Sequence, residues 1–166
     1  MIDVKEKVPA ENRWTIASQT MTGAIMTTNK ILLDIVGREK YNEIIAQIWS
    51  EGGKASKQIA DTLGLDGNDA ESIAKTVLGV ANVEMGPDFK LEMIEATTEK
   101  AIVRCTECPW QNRSRELGIS EDMCSVGDQS WGNGLARTLN PKLKVTLTKA
   151  MPKGDAYCEW IYELEK

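Results

Sequence analysis

The chain contains no histidine. That excludes Ser-His and Cys-His nucleophile pairs, imidazole metal ligands and histidine pH switching. Acid–base work must fall to carboxylates, Cys, Tyr or Lys. A Lys/Arg block able to neutralise several phosphates is missing too, and 20 basic residues face 25 acidic ones for a net charge of -5. This balance argues against a nucleic-acid partner. No stretch approaches the roughly 18 consecutive apolar residues of a membrane span, so no membrane partner is expected. The opening MIDVKEKVPAENRW has no apolar run like that of a signal peptide. A cytoplasmic location is therefore the expectation. Internal repeats and low-complexity linkers are also missing.

What remains is ordinary globular composition: 166 residues, 42% hydrophobic and 27% charged. That length supports one domain over residues 1–166 with a real core. Residues 1–12 are polar, carry Pro9 and read as an arm. From there a helical half runs to about residue 86. Trp14, Ala17, Met21, Ala24 or Ile25, Thr28, Leu32 and Ile35 or Val36 recur in steps of three and four, the mark of an amphipathic helix. Asn12 is its expected cap and Gly37 its stop. A second helix carries Tyr41, Ile44, Ile45, Ile48 and Trp49 on one side and continues through Gly52-Gly53 to Leu63. The glycine pair is expected to admit another element closely. Asn68 with Glu71 resembles a capping box for a third helix bearing Ile73, Val77, Leu78 and Ala81. The apolar breadth of the first two helices suggests a homodimer face.

Beyond Gly86-Pro87 the period changes to two. Phe89 to Ile94 and Ala101 to Cys105 read as a hairpin, and Leu143 to Leu147 and Tyr157 to Leu164 as two more strands. Two helical stretches lie between them, about 111–117 and 120–139. The sheet-containing half, about 87–166, thus runs strand-strand-helix-helix-strand-strand. The fold class expected is α+β, with N-terminal helices packed on a four-stranded antiparallel sheet.

Chemistry concentrates in Arg104 to Asp128. Cys105 and Cys108 form a C-x-x-C, Cys124 follows, and Cys158 lies on the last strand. In a reducing compartment such cysteines serve as thiols, metal ligands or redox groups. Four thiolates could complete a tetrahedral zinc site, and an iron–sulfur centre could use the same ligands. There is no second C-x-x-C to strengthen that reading. The alternative is that the cysteines are small buried apolar residues.

Several segments are similar to a known family. They are Cys108-Pro109 before a polar helix, Glu116-Leu117-Gly118-Ile119, then Cys124 with Asp128 four residues on. A Thr-rich strand and the ending Gly154-Asp155-Ala156-Tyr157-Cys158-Glu159-Trp160-Ile161-Tyr162 complete the set. Together they resemble the L-2-amino-thiazoline-4-carboxylic acid hydrolase-like family, chiefly over residues 101–164. The stretch Trp49 to Lys54, with Ile59-Ala60 and Leu63-Gly64, is similar to the helical half of its relatives. The architecture also resembles the 4-vinyl-reductase-type small-molecule-binding domain. The resemblance implies a pocket between helices and sheet for a small organic molecule, and water-driven opening of a cyclic amidine. The candidate catalytic residues are Cys124 as nucleophile, with Asp128 and Asp155 to deliver water or a proton. Trp110, Trp131 and Trp160 surround the cysteine segments and are the candidate ligand-binding aromatics.

Overall fold

The computed structural model describes residues 7–165. Of the expected N-terminal arm, residues 1–6 lie outside the described residues. Helix α1 spans Ala10–Ala55 and is interrupted at Gly37, whose φ of 76° and ψ of 165° leave the helical region. The expected stop at Gly37 is thus a sharp break between two helical halves. The start differs from expectation: Pro9, not Asn12, precedes the first helical residue. Proline fits there because its fixed φ suits the helix entry and its missing N–H is not needed.

The buried face of the first half of α1 is Ser18, Thr22, Met26, Asn29 and Leu33. It lies about one residue, or about 100° of rotation, from the apolar stripe expected from the sequence. Trp14, Met21 and Ile35 are exposed, Ile35 at 75%. Ser18 and Thr22 can turn inward here because their hydroxyls are satisfied locally, whereas Asn29 Nδ2 is buried without a partner. Thr22 donates to the carbonyl of Ser18 at 2.8 Å, and Ser18 to that of Thr15 at 3.0 Å. The second half buries Tyr41 and Ile45 as expected, while Ile48 faces outward.

Helix α2 (Lys57–Leu63) continues α1 after Ser56, and Gly64 closes it in the left-handed conformation. Helix α3 (Ala70–Met85) begins on a capping box one residue later than expected. Asp69 accepts from the Ser72 backbone at 2.8 Å, and the Ser72 hydroxyl accepts from the Asp69 backbone at 3.3 Å. Ile73, Val77 and Ala81 form its buried side together with Val80.

Strands β1 (Lys90–Ala96) and β2 (Lys100–Glu107) form the first hairpin. Helices α4 (Pro109–Glu116) and α5 (Ser125–Leu139) follow, then β3 (Leu143–Lys149) and β4 (Cys158–Leu164). The sheet order is β1-β2-β4-β3 and every pair is antiparallel. The central pair sets Cys105 opposite Cys158 and Val103 opposite Trp160. Ala101, Val103 and Cys105 share one buried face with Cys158, Trp160 and Tyr162, against residues of α3 and α5. The other face is polar: Arg104 pairs with Glu159 at 2.8 Å and lies over the Tyr157 ring. One wet and one dry face is what alternation of period two dictates.

Helix α5 crosses α1 at backbone contact. A Cβ on Gly53 would sit 2.1 Å from the Trp131 carbonyl oxygen, and one on Gly134 would sit 2.4 Å from that of Ser50. The close approach expected of the Gly52-Gly53 pair is therefore made by Gly53, with Gly134 answering it. This crossing fixes α5, and with it Asp128 and Trp131, over the sheet.

Candidate functional site

Asp128 sits in the first turn of α5, its backbone N–H donating to the Cys124 carbonyl at 2.8 Å. Its side chain reaches the sheet, where the Trp160 indole N–H donates to Oδ2 at 2.8 Å. Burial is the dominant influence on this carboxyl and pushes it up to about 7, outweighing the Trp160 hydrogen bond, which acts downward. The helix dipole would favour the anion at this position, so desolvation wins.

Asp128 borders a cavity of about 30 Å³ between α3, α5 and the sheet, partly open to solvent. Val77, Leu91, Val103, Trp131, Trp160 and Tyr162 are among its walls, and no Lys or Arg lines it. A space of this size holds roughly two waters. Its β1 side is the pliable one: β1 is an edge strand, largely exposed, with register shifts at Lys90/Leu91 and Met93/Glu95. On the opposite side, the Trp131 indole donates to Ser56 Oγ at 3.2 Å, and Ser56 donates to Glu84 Oε1 at 2.6 Å. Burial pushes Glu84 up as well.

Asp128, Trp131 and Trp160 are therefore brought together. The other expected residues are not part of this cavity. Trp110 is buried in a second cluster with Met26, Tyr41 and Ile45, its ring tilted 49° against Trp49 at 5.2 Å between centroids. Asp155 is exposed, and its carboxylate accepts the Ala150 N–H at 2.8 Å in the turn between β3 and β4. Cys124 borders a different, larger cavity of about 280 Å³ beside Arg38, Tyr41 and Lys153. Burial pushes its thiol well above the ordinary range, and the neighbouring Cys108, Asp128 and Asp122 add to this.

The tetrahedral set expected of Cys105, Cys108, Cys124 and Cys158 is not formed. Among the described residues, no group of three or more Cys, Asp or Glu is arranged to hold a metal ion. Two of the four sulfurs have backbone partners. Cys105 donates to the Glu107 carbonyl at 3.2 Å, and Cys158 accepts the Met151 N–H at 3.3 Å. Cys105 and Cys158 are buried, and burial pushes the Cys158 thiol up to about 12. Zinc and iron–sulfur chemistry require thiolates, so this arrangement favours neutral core thiols at Cys105 and Cys158.

Sequence reasoning missed Tyr162 and Glu84. Tyr162 carries a signal, since it lies two residues beyond Trp160 on the same strand face. Glu84 carries none; only the fold sets it beside Ser56.

The family described as L-2-amino-thiazoline-4-carboxylic acid hydrolase matches residues 15–162. No curated protein matches the chain. Among solved structures, the chain is similar to the phenol-responsive sensory domain of the transcription activator PoxR, solved with phenol. Identity is 12% and the TM-score 0.67, over 86% of this chain and 74% of that one. It is also similar to trafficking protein particle complex subunit 3 from Naegleria fowleri, solved covalently bound to palmitic acid. There identity is 12% and the TM-score 0.68, over 91% and 96% of the two chains. At this identity the likeness is one of fold. Among the described residues, no helix is long and apolar enough to cross a membrane.

Proposed function

The chain belongs to the L-2-amino-thiazoline-4-carboxylic acid hydrolase family, and from that premise we propose that it binds a small organic molecule in the Asp128 cavity. The observation that carries this reading is the carboxyl itself. Asp128 stands among apolar walls with Trp160 as its side-chain hydrogen-bond donor. The Trp160 hydrogen bond falls on Oδ2 and leaves Oδ1 to accept from a ligand at the half-buried cavity wall. Groups of perturbed pKa in a cleft are characteristic of functional sites.

The ligand that fits is compact, with an apolar or aromatic body between Trp131 and Leu91 and one N–H or O–H group toward Asp128. A cyclic amidine meets this description, because one of its N–H groups can donate to the carboxylate oxygen that Trp160 leaves free. The solved sensory domain with phenol is a protein of similar fold holding a small donor. Entry of such a molecule enlarges the cavity at the expense of β1, the wall with fewest internal constraints.

The finer reading is hydrolysis of a carbon–nitrogen bond in a cyclic amidine. A cavity water adds through oxygen to the amidine carbon, and the ring carbon–nitrogen bond then breaks with a proton passed to the leaving nitrogen. Asp128, close to half-ionised at neutral pH, serves as the proton carrier. Cys124 borders the other cavity as a neutral thiol and Asp155 is held in a turn, so neither is assigned a step. Incubation with 2-aminothiazoline tests both levels. Calorimetry is expected to register binding, and mass spectrometry the gain of one water on ring opening. Binding without ring opening would leave a receptor and remove the hydrolase reading; absence of binding would remove both.

A further inference from the structure

The larger cavity is lined unlike the Asp128 cavity. It opens between the second half of α1, the loop before α5 and the 3-10 turn Met151–Lys153 that joins β3 to β4. Arg38, Asn42, Lys153 and Asp122 supply its charged and polar lining, with Cys124 among its walls. Two cations face one carboxylate, so the lining carries one net positive charge on a chain whose total is -5.

That carboxylate is largely spoken for. Asp122 Oδ1 accepts the backbone N–H groups of Cys124 at 3.2 Å and Ser125 at 3.0 Å. Its Oδ2 is 3.9 Å from Lys153 Nζ, a loose pair between partly exposed groups. Arg38 uses one nitrogen, Nη1, on the Asp122 carbonyl at 2.5 Å, and its guanidinium lies 5.4 Å from the Tyr41 ring centroid. The other guanidinium nitrogens remain available as a fork of donors. Arg38 also occupies the first turn after the Gly37 break, where the helix dipole disfavours a cation. An anion beside it reverses that disadvantage. Tyr41 is neutral, pushed up by burial, and donates to the Met123 carbonyl at 2.7 Å.

We propose that this cavity binds a small monocarboxylate, held between the Arg38 guanidinium and the Lys153 ammonium, with its body over the Cys124 thiol. The planar fork of Arg38 matches a carboxylate in bidentate geometry. A single net positive charge suits a monoanion better than a dianion such as phosphate. The cavity, near 280 Å³, is just under the usual range for drug-sized ligands, which suits a small monocarboxylate. This site is independent of the Asp128 cavity, which has no cation for a carboxylate.

Cys124 reports on the site directly. Its alkylation rate with anionic iodoacetate, divided by that with neutral iodoacetamide, is measured by peptide mass spectrometry and compared with the same ratio for glutathione. The expected ratio at Cys124 exceeds that of glutathione by about tenfold, as a recruited carboxylate implies. It falls to the glutathione value in Arg38→Met and Lys153→Met together, and benzoate slows the iodoacetamide reaction of the wild type only. Both substituted side chains are exposed, so the variant keeps its fold, checked by circular dichroism. A wild-type ratio equal to that of glutathione, one unchanged in the double variant, or no alkylation of Cys124 by either reagent overturns the proposal.

Discussion

The Trp160 indole meets the Asp128 carboxylate at 2.8 Å across 32 residues of sequence. That contact ties the central strand β4 to the first turn of α5 and holds one carboxylate oxygen in place. It leaves the other oxygen for whatever occupies the cavity. Changes to this pair are expected to alter stability, ligand affinity and pH response.

Asp128 titrates near 7 in the fold against an ordinary 3.8. Because the folded pKa is raised, its contribution to stability is complete below about pH 4 and is lost as pH rises through 7. At about 1.4 kcal/mol per unit, the loss is about 4 kcal/mol. Asp128→Asn keeps an acceptor for Trp160 and removes this titration. Urea unfolding should find the variant more stable than wild type at pH 8, with the difference shrinking toward pH 4. A variant less stable than wild type at pH 8 contradicts the assignment.

The crossing of α1 and α5 makes opposite predictions for adjacent glycines. Gly53→Ala drives a methyl into the Trp131 backbone, and overpacking of this kind costs about 3 kcal/mol or more. At Gly52 the nearest atom to an added Cβ is 3.9 Å away. Gly52→Ala should therefore gain up to about 1 kcal/mol from helix propensity. Denaturant midpoints of the two variants decide it; equal effects would mean that the helices do not meet at Gly53.

Trp110 and Trp131 separate packing from ligand contact. Trp110→Ala opens the cluster around Trp49 and Met26 and should cost about 3–5 kcal/mol. Trp110→Phe, which keeps most of the volume, should leave the affinity for 2-aminothiazoline unchanged. Trp131→Phe shortens a cavity wall and frees Ser56, so it should weaken that affinity several-fold. Calorimetric titration of both Phe variants checks the contrast.

The cysteines should behave as thiols. Purified protein treated with a strong chelator is expected to keep its thermal midpoint, with zinc and iron both below stoichiometric amounts. A midpoint that falls on chelation and returns with zinc would restore the ligand reading of Cys105 and Cys108.

The sheet was the most legible part of the fold. Ala101, Val103 and Cys105 and their partners Cys158, Trp160 and Tyr162 alternate with polar residues, and period two leaves little choice of face. The first half of α1 was less legible because Ser18, Thr22 and Asn29 are buried. Local hydroxyl bonding hides the cost of burying Ser18 and Thr22, and hydropathy alone assigns the wrong stripe. At the site, Asp128 and Trp160 could be proposed from the sequence, but not their contact. Trp110 reads like Trp131 in sequence, and only packing separates core from cavity. The pairing of Arg38 with the Asp122 segment spans 84 residues and follows from how α1 crosses α5, so no local pattern announces it.

The central claim is most directly tested by the pH dependence of 2-aminothiazoline affinity, measured by calorimetry on wild type and Asp128→Asn between pH 5 and 8. A cationic ligand paired with the ionised carboxylate should gain about tenfold in affinity per pH unit below 7 and level off above it. Asp128→Asn should bind at least about tenfold more weakly at pH 8, with no such slope. A wild-type affinity independent of pH, or a variant that binds as tightly as wild type, would contradict the account.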